Sequence, residues 1–177
     1  MALIFITGAA GVGKSSVTKL LQEQLPKDTY ALHDIDESDK WTNDYEAWRD
    51  SKIDYWLQRG RSSDEAGITT SLCGIIYPEN VEKAPSFSED VLIQYILLDA
   101  SADVITKRLL SKYGTEDERR EFDAEKTGRM KRKLKRQLEI ADELRSVYTN
   151  RQDAYIIDTN RVLSEVVDDI LEKVKSV

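Results

Sequence analysis

One short motif near the start of the chain constrains the fold more than any other feature. Residues 8–15 read GAAGVGKS, which matches the pattern G-x-x-x-x-G-K-[ST]. An apolar run at residues 3–6 precedes the motif, and apolar positions at helical spacing follow it. This strand–loop–helix context is typical of a phosphate-binding loop.

The residue types of this loop suit a phosphate group. Its glycines let the backbone turn so that successive amide hydrogens converge on one phosphate, and the following helix adds the partial positive charge of its N-terminus. Lys14 is expected to reach the β- and γ-phosphates, and the Ser15 hydroxyl to ligate Mg²⁺. The predicted nucleotide-binding residues of the loop are Gly8, Ala9, Ala10, Gly11, Val12, Gly13, Lys14, Ser15 and Ser16.

Composition limits the partners of the chain. Its 177 residues predict a single domain, 1–177, and its net charge of −7 argues against a general binder of nucleic acids or anionic membranes. One cysteine and one histidine exclude an intramolecular disulfide and a zinc cluster. No apolar run approaches the ~20 residues that cross a bilayer. The first strand leaves no room for a signal or transit peptide, so we expect a cytoplasmic protein.

Apolar segments alternate with helical patterns along the whole chain. Strands separated by helices predict an α/β fold, in which a parallel sheet carries helices on both faces. The ligand is then expected at the carboxyl ends of the strands, near the first one. Asn43 and Gly60 are the expected N-cap and stop of the helix after the second strand. The predicted strands are residues 3–6, 30–36, 69–76, 91–98 and 154–158, and the later helices are residues 101–110, 129–148 and 164 onward.

Two carboxylates close the second predicted strand. Asp34 and Asp36 are two positions apart, so the period of a strand places them on the same face. Phosphoryl transfer to a hydroxyl needs one group to hold Mg²⁺ and another to orient the acceptor and take its proton. We assign these catalytic roles to the pair, with Asp34 and Ser15 as metal ligands and Asp36 as the substrate contact. Asp99, after the fourth strand, competes for the metal role, and the residues alone leave that choice open.

Residues 37–68 are expected to form a helical segment on the acceptor side of the loop. Trp48 and Arg49 in this segment, together with Cys73 and Gly74 at the end of the third strand, are the predicted substrate-binding residues. Core packing of an amphipathic helix is the alternative interpretation of the aromatic residues.

Residues 111–132 are polar, highly charged and poor in core residues, which is typical of a mobile lid. Arginines in a lid can close over the γ-phosphate and stabilise charge in the transition state. Arg129 and Arg132 are the predicted catalytic pair, with Arg119 and Arg120 as further candidates. The basic run at residues 129–136 also fits a solvated helix face or an RNA contact.

Together these features resemble the small P-loop kinases, the relatives of the shikimate, gluconate and nucleotide kinases. The D-x-D at residues 34–36 is similar to that of shikimate kinases, where one Asp serves Mg²⁺ and the next contacts the acceptor. Lys107-Arg108-Leu109 sits where the family has an Arg-Leu pair whose arginine stacks on adenine. Residues 145–159 are similar to the closing R-x-x-Y…D-T stretch of the family, which implicates Thr159 and Asn160 in the adenine pocket.

The resemblance implies a three-layer α/β/α P-loop NTPase fold with strand order 2-3-1-4-5 and a lid. It also implies an ATP- and Mg²⁺-dependent kinase that phosphorylates a small molecule, such as a nucleoside, a nucleotide or a sugar acid. The third strand ends in Cys73-Gly74, with neither the glycine triplet of shikimate kinases nor the D-G-[FY]-P-R of adenylate kinases. The donor half of the site, which would bind ATP, therefore matches the family. The acceptor half, which would bind the molecule to be phosphorylated, matches no subfamily.

Other functions remain open from the sequence. A polynucleotide 5′-end kinase or an RNA-binding ATPase would use the basic run, against the acidic net charge. A nucleotide-binding protein without catalysis would keep the loop and use the carboxylates structurally. A regulatory GTPase fits less well, because the chain has no N-K-x-D guanine motif. The expected partner is a small molecule rather than a membrane or a nucleic acid, and a monomer and a homodimer both fit.

Overall fold

In the computed structural model, which describes residues 2–37, 44–113 and 124–175, five strands form one parallel sheet. Their order across the sheet is 2-3-1-4-5, with helices on both faces, which confirms the predicted fold class. The strands are β1 (Ala2–Thr7), β2 (Tyr30–Asp34), β3 (Thr69–Gly74), β4 (Leu92–Asp99) and β5 (Ala154–Asp158).

The helices alternate with these strands along the chain. Among the residues that the structure describes, no helix is both long enough and apolar enough to cross a membrane. The helices are α1 (Lys14–Gln24), α2 (Tyr45–Glu65), α3 (Pro78–Glu82), α4 (Ala102–Tyr113), α5 (Ala124–Tyr148) and α6 (Leu163–Val174).

Strands β1 and β4 lie at the centre of the sheet, because their nearly continuous apolar runs suit a position that is covered on both faces. Leu3, Ile4, Phe5 and Ile6 have no exposed surface. Phe5 lies opposite Tyr95 in the register, and their rings stack with centroids 5.4 Å apart. Since all the strands are parallel, their carboxyl ends meet at one edge of this sheet.

Helix α2 differs from the prediction at both ends. The predicted N-cap, Asn43, lies outside the described residues, and Asp44 caps the helix by accepting a hydrogen bond from the Ala47 amide at 3.0 Å. Gly60 was expected to stop the helix, and this prediction is wrong, because α2 continues to Glu65. Gly60 is buried on the same face as Trp56, so packing outweighs the roughly 1 kcal/mol that a helical glycine costs.

Strand β3 ends at Gly74, two residues before the predicted end at Ile76. The Thr7 hydroxyl donates to the Ile76 carbonyl at 3.1 Å and accepts from its amide at 3.0 Å. The Tyr148 hydroxyl donates to the same carbonyl at 2.9 Å. Side chains therefore take over the hydrogen bonds of the sheet ladder here, and the chain turns away from β1 before it reaches Pro78.

The described ends of the predicted lid, residues 111–132, belong to two helices. Helix α4 extends past the predicted end at residue 110 to Tyr113, and α5 begins at Ala124 rather than at Arg129. Residues 114–123 lie outside the described parts of the chain. The helix formers at residues 124–126 favour an earlier start of α5, despite the glycine at position 128.

Candidate active site

The phosphate loop connects β1 to α1 at the carboxyl edge of the sheet. Gly13 is the N-cap of α1 with a φ of +108°, and its carbonyl accepts from the amides of Ser16 and Val17 at 3.0 Å. Ser15 and Ser16 are exposed in the first helical turn. The amides of Lys14 and Ser15 precede the first hydrogen bonds of the helix, so they are donors that an anion can use.

The Lys14 side chain folds over the loop that precedes it. Its Nζ donates to the carbonyl of Gly8 at 2.5 Å and to that of Ala9 at 3.0 Å. Burial lowers the pKa of Lys14, the nearby Asp34 carboxylate opposes this shift, and the charge of Lys112 adds to it. The ammonium group is thus held inside the loop, where it would meet a bound phosphate.

Helix α4 packs directly on the loop at Gly11. This glycine has a φ of +93°, and a Cβ on it would lie 3.0 Å from Cγ of Leu109 and 3.2 Å from the carbonyl oxygen of Ile105. Glycine meets both demands, because it tolerates a positive φ and needs no space for a side chain. Arg108 and Lys112 share this helical face, so the packing at Gly11 directs both cations toward the loop.

A cavity of about 370 Å³ lies beside the loop. Its size falls in the range of roughly 300–1,000 Å³ that is usual for small-molecule sites. Its wall comes from the loop, the start of α1, α4 and the ends of β2 and β3. The predicted site residues in this wall are Ala10, Gly11, Gly13, Lys14, Ser15, Ser16, Asp34, Asp36 and Gly74.

Asp34 and Asp36 face the phosphate loop across this cavity. Asp34 is the last residue of β2, and its Oδ1 accepts from the Asp36 amide at 3.0 Å. A turn, rather than the period of a strand, therefore brings the two carboxylates together, and the buried Ile35 anchors that turn. Burial raises the pKa of Asp36, the Asp34 carboxylate raises it further, and Lys14 opposes the shift. A raised pKa suits a group that accepts a proton during catalysis.

The oxygen donors of this cavity fit Mg²⁺. Ser15 and Asp34 both belong to its wall. Magnesium is usually bound through one or two carboxylates, with phosphate oxygens and water completing its shell. The described residues contain no group of three or more His, Cys, Asp or Glu that could hold a metal. One hydroxyl and one carboxylate are a donor set that suits a metal bound together with phosphate oxygens.

Asp99, the competitor for the metal role, is engaged elsewhere. Its two carboxylate oxygens accept from Nε and Nη2 of Arg145 at 2.8 and 2.9 Å. This bidentate pair occupies the oxygens that a metal would need. In the described structure Asp99 does not line the cavity, whereas Asp34, the residue predicted to ligate the metal, does.

Of the three residues predicted to bind adenine, Arg108 and Thr159 meet beside the loop and Asn160 does not. The Arg108 guanidinium donates to the carbonyl of Val12 at 3.0 Å and to that of Thr159 at 2.7 Å. The Thr159 hydroxyl donates to the same Val12 carbonyl at 2.8 Å, and all three residues line a second cavity of about 230 Å³. The Asn160 side chain instead accepts from the amide of Ser101 at 3.0 Å, ahead of α4, and does not line this cavity.

Three predicted substrate-binding residues lie outside the wall of the main cavity. Cys73 is buried in β3, where its sulfur accepts from the Thr18 hydroxyl at 3.4 Å, and burial raises the pKa of its thiol. Trp48 and Arg49 lie near the start of α2, and the Arg49 guanidinium contacts Asp50 at 3.4 Å. The described structure therefore does not bring these three side chains into the cavity.

The two predicted lid arginines that the structure describes, Arg129 and Arg132, are not part of the cavity wall. Both are exposed on α5. Arg119 and Arg120 lie outside the described residues. The role of these arginines in catalysis stays a prediction.

Sequence reasoning missed two residues that the structure places at the loop. Lys112 lines the main cavity, and the side-chain oxygen of Gln137 accepts from the Ala10 amide at 2.7 Å. A signal for Lys112 was present, since it lies one helical turn after Arg108. Gln137 had no such signal, because its position depends on how α5 packs against the rest of the chain.

Comparisons with known proteins bear on the fold. No family model matches this sequence, and no curated protein matches it. The chain is similar to the structure of a sugar kinase from Janibacter sp. HTCC2649, with a TM-score of 0.60 and 14% identity over 97% of this chain and 93% of the other. It is also similar to a gluconokinase from Sinorhizobium meliloti 1021, with a TM-score of 0.57 and 18% identity over 97% of this chain and 90% of the other.

The two likenesses span nearly the whole chain and show a shared fold. At 14% and 18% identity these likenesses show the fold alone, and they select no subfamily of kinases. The phosphate loop occupies the position between β1 and α1 that this fold requires of it.

Proposed function

We propose that this chain is an ATP- and Mg²⁺-dependent kinase that transfers the γ-phosphoryl group to a small-molecule acceptor. A shared cavity carries the proposal, because Lys14 and Ser15 face Asp34 and Asp36 across it. Phosphoryl transfer depends on holding the phosphate and the acceptor in line, with charged groups around them. The shared fold with a sugar kinase and a gluconokinase supports the same class of reaction.

The donor half of the site binds and orients the nucleotide. The loop amides and the Lys14 ammonium hold the β- and γ-phosphates, and Lys112 adds a second positive charge from α4. Arg108 and Thr159 border the second cavity, which would take the base. When bound, Mg²⁺ neutralises charge on the phosphate oxygens, with Ser15 and Asp34 as its protein ligands.

The acceptor half supplies the proton acceptor. Asp36 orients the hydroxyl of the acceptor and takes its proton as the hydroxyl oxygen bonds to the γ-phosphorus and the bond to the ADP oxygen breaks. Its raised pKa makes it a better proton acceptor than an ordinary aspartate. Gly74 and Ile75 border the same space, so the acceptor lies between the ends of β2 and β3. Nucleosides, nucleotides and sugar acids are the acceptor classes that we propose.

The first test measures ADP release from Mg-ATP across a panel of nucleosides, nucleotides, sugars, hydroxy acids and a 5′-hydroxyl RNA oligonucleotide. Lys14→Ala serves as the blank, and Lys19→Ala is the matched control, because Lys19 is an exposed lysine of the same helix. We expect one class of small molecule to stimulate ADP release in the wild type and in Lys19→Ala, and none to do so in the blank.

Two other outcomes would contradict this proposal. Stimulation by the RNA oligonucleotide alone would identify a polynucleotide 5′-end kinase, and its activity should fall steeply with salt. Tight binding of ATP without stimulation by any acceptor would indicate a nucleotide-binding protein without kinase activity.

A further inference from the structure

Helix α5 is attached to the carboxyl edge of the sheet through several side chains in its C-terminal half. Arg145 pairs with Asp99, and the Tyr148 hydroxyl donates to the Ile76 carbonyl, two residues after β3. Gln137 makes the contact with the phosphate loop itself, since its Oε1 accepts from the Ala10 amide at 2.7 Å. Ala10 and Gln137 are far apart in sequence, so their hydrogen bond depends on the tertiary fold.

The peptide unit between Ala9 and Ala10 is held on both sides. Its carbonyl oxygen accepts from Nζ of Lys14 at 3.0 Å, and its amide donates to Gln137 at 2.7 Å. The carbonyl and the amide of a trans peptide point in opposite directions. The two hydrogen bonds therefore fix the rotation of this peptide, with its carbonyl toward the lysine and its amide toward α5.

The chemistry of glutamine suits this position. Its amide offers an uncharged acceptor oxygen, whereas a lysine or an arginine would offer donors alone. A carboxylate would accept the same hydrogen bond but would add negative charge beside a phosphate site. Leu134 and Leu138 flank Gln137 on α5 and pack against the core, so the backbone that carries this side chain is held in place.

We propose that Gln137 is a positioning residue of the nucleotide site. By holding the Ala10 amide, it keeps the Ala9 carbonyl turned toward Lys14 and so sets the shape of the first half of the loop. The lysine ammonium is thereby kept where a phosphate meets it. This inference rests on the proposed nucleotide site, but it needs no phosphoryl acceptor and no turnover to be tested.

The test combines amide exchange with nucleotide binding. The variants are Gln137→Met, which removes the acceptor, Gln137→Glu, which keeps one, and Gln22→Met as a matched control on α1, where the glutamine donates to the Leu32 carbonyl instead. Exchange of the Ala10 amide is followed by NMR on ¹⁵N-labelled protein, and ADP affinity is measured by calorimetry.

We expect Gln137→Met to speed exchange at Ala10 and to weaken ADP binding by about tenfold, the size expected for the loss of one hydrogen bond. Gln137→Glu should restore the slow exchange at Ala10, because a carboxylate oxygen can accept the same bond. Gln22→Met should change neither quantity. If Gln137→Met fails to fold, Gln137→Asn provides the same test, since its amide is one methylene too short to reach the loop.

Unchanged exchange at Ala10 in Gln137→Met would overturn the inference, and so would an unchanged ADP affinity. A wild type that binds neither ADP nor ATP would contradict the proposed function instead. The exchange rate at Ala10 would then still decide whether Gln137 holds the loop. The failure of one claim can therefore be told apart from the failure of the other.

Discussion

The donor half and the acceptor half of the site are built in different ways. The phosphate loop at the centre of the donor half is one continuous stretch of chain, residues 8–16, and α4 packs on it at Gly11. The acceptor half combines the ends of β2 and β3, which are far apart in sequence. A local motif can therefore specify the first half, whereas the second exists through tertiary packing.

The two halves also differ in the atoms that they use. The phosphate loop of the donor half presents backbone amides and one lysine, so most of the loop side chains can change while phosphate binding persists. The acceptor half depends on the side chains of Asp34 and Asp36. Variants of the donor half should therefore reduce nucleotide binding and turnover together, and variants of the acceptor half should reduce turnover alone.

The largest expected effect belongs to the donor half. Lys14→Ala removes the cation that the loop holds with its own carbonyls, and kcat/KM for ATP should fall by about 10³-fold or more. Steady-state kinetics with the identified acceptor measure this value, and Lys19→Ala should stay within about twofold of the wild type. A loss of kcat/KM below tenfold in Lys14→Ala would contradict the role of Lys14 as the cation that holds the phosphates.

Asp36→Asn is the complementary variant in the acceptor half. Because asparagine cannot take a proton from the acceptor, kcat should fall by about 10²- to 10³-fold while the Kd for ADP changes by less than about twofold. Rapid-quench kinetics and calorimetry on the same preparation give the two values. Equal losses in turnover and in affinity would place Asp36 in the donor half.

Lys112 tests whether α4 belongs to the donor half. Lys112→Met should raise the KM for ATP by about tenfold, since a charged contact with phosphate is lost. Lys107→Met is the matched control, because this exposed lysine of the same helix does not line the cavity. Similar KM values for the two variants would exclude Lys112 from phosphate binding.

The smallest expected effect concerns stability and pH. The folded protein raises the pKa of Asp36 through burial and the neighbouring Asp34 carboxylate, so the folded state favours the protonated form. The contribution of Asp36 to the stability of the wild type should therefore fall as pH rises above the ordinary aspartate value of 3.8. Asp36→Asn should be more stable than the wild type at neutral pH by less than about 1 kcal/mol, because the carboxyl is partly solvated.

Urea unfolding between pH 3 and pH 7 measures this difference. The two proteins should have similar stability at the acidic end, where Asp36 is protonated in both the folded and the unfolded chain. A variant that is less stable than the wild type at neutral pH would show that the Asp36 carboxylate stabilises the fold, contrary to its shifted pKa.

The sequence predicted the strand–loop–helix arrangement around residues 8–16, because a contiguous motif determines its backbone shape. It predicted Arg108 and Thr159 through the resemblance, and the structure brings their side chains together. It missed Lys112, whose position depends on α4 continuing to Tyr113. Gln137 was missed as well, because its contact with the loop depends on how α5 docks.

The differences between the predicted acceptor half and the structure have a common physical cause. Gly60 lies inside α2 because its face is buried, and no local propensity reports that burial. Cys73 points toward α1 and Arg49 contacts Asp50, since the packing of neighbouring elements decides where a side chain lies. The carboxylates were found because they follow a strand directly, where the chain itself limits their position.

The most direct test of the central claim follows the phosphorus itself. ³¹P NMR of Mg-ATP, the stimulating acceptor and the wild-type protein should show ADP together with a new phosphate-ester resonance, and Lys14→Ala and Asp36→Asn should show neither on the same timescale. Inorganic phosphate in place of the ester would mean that water is the acceptor. That result would contradict the proposal that the γ-phosphoryl group is transferred to a small molecule in the cavity between the phosphate loop and the two aspartates.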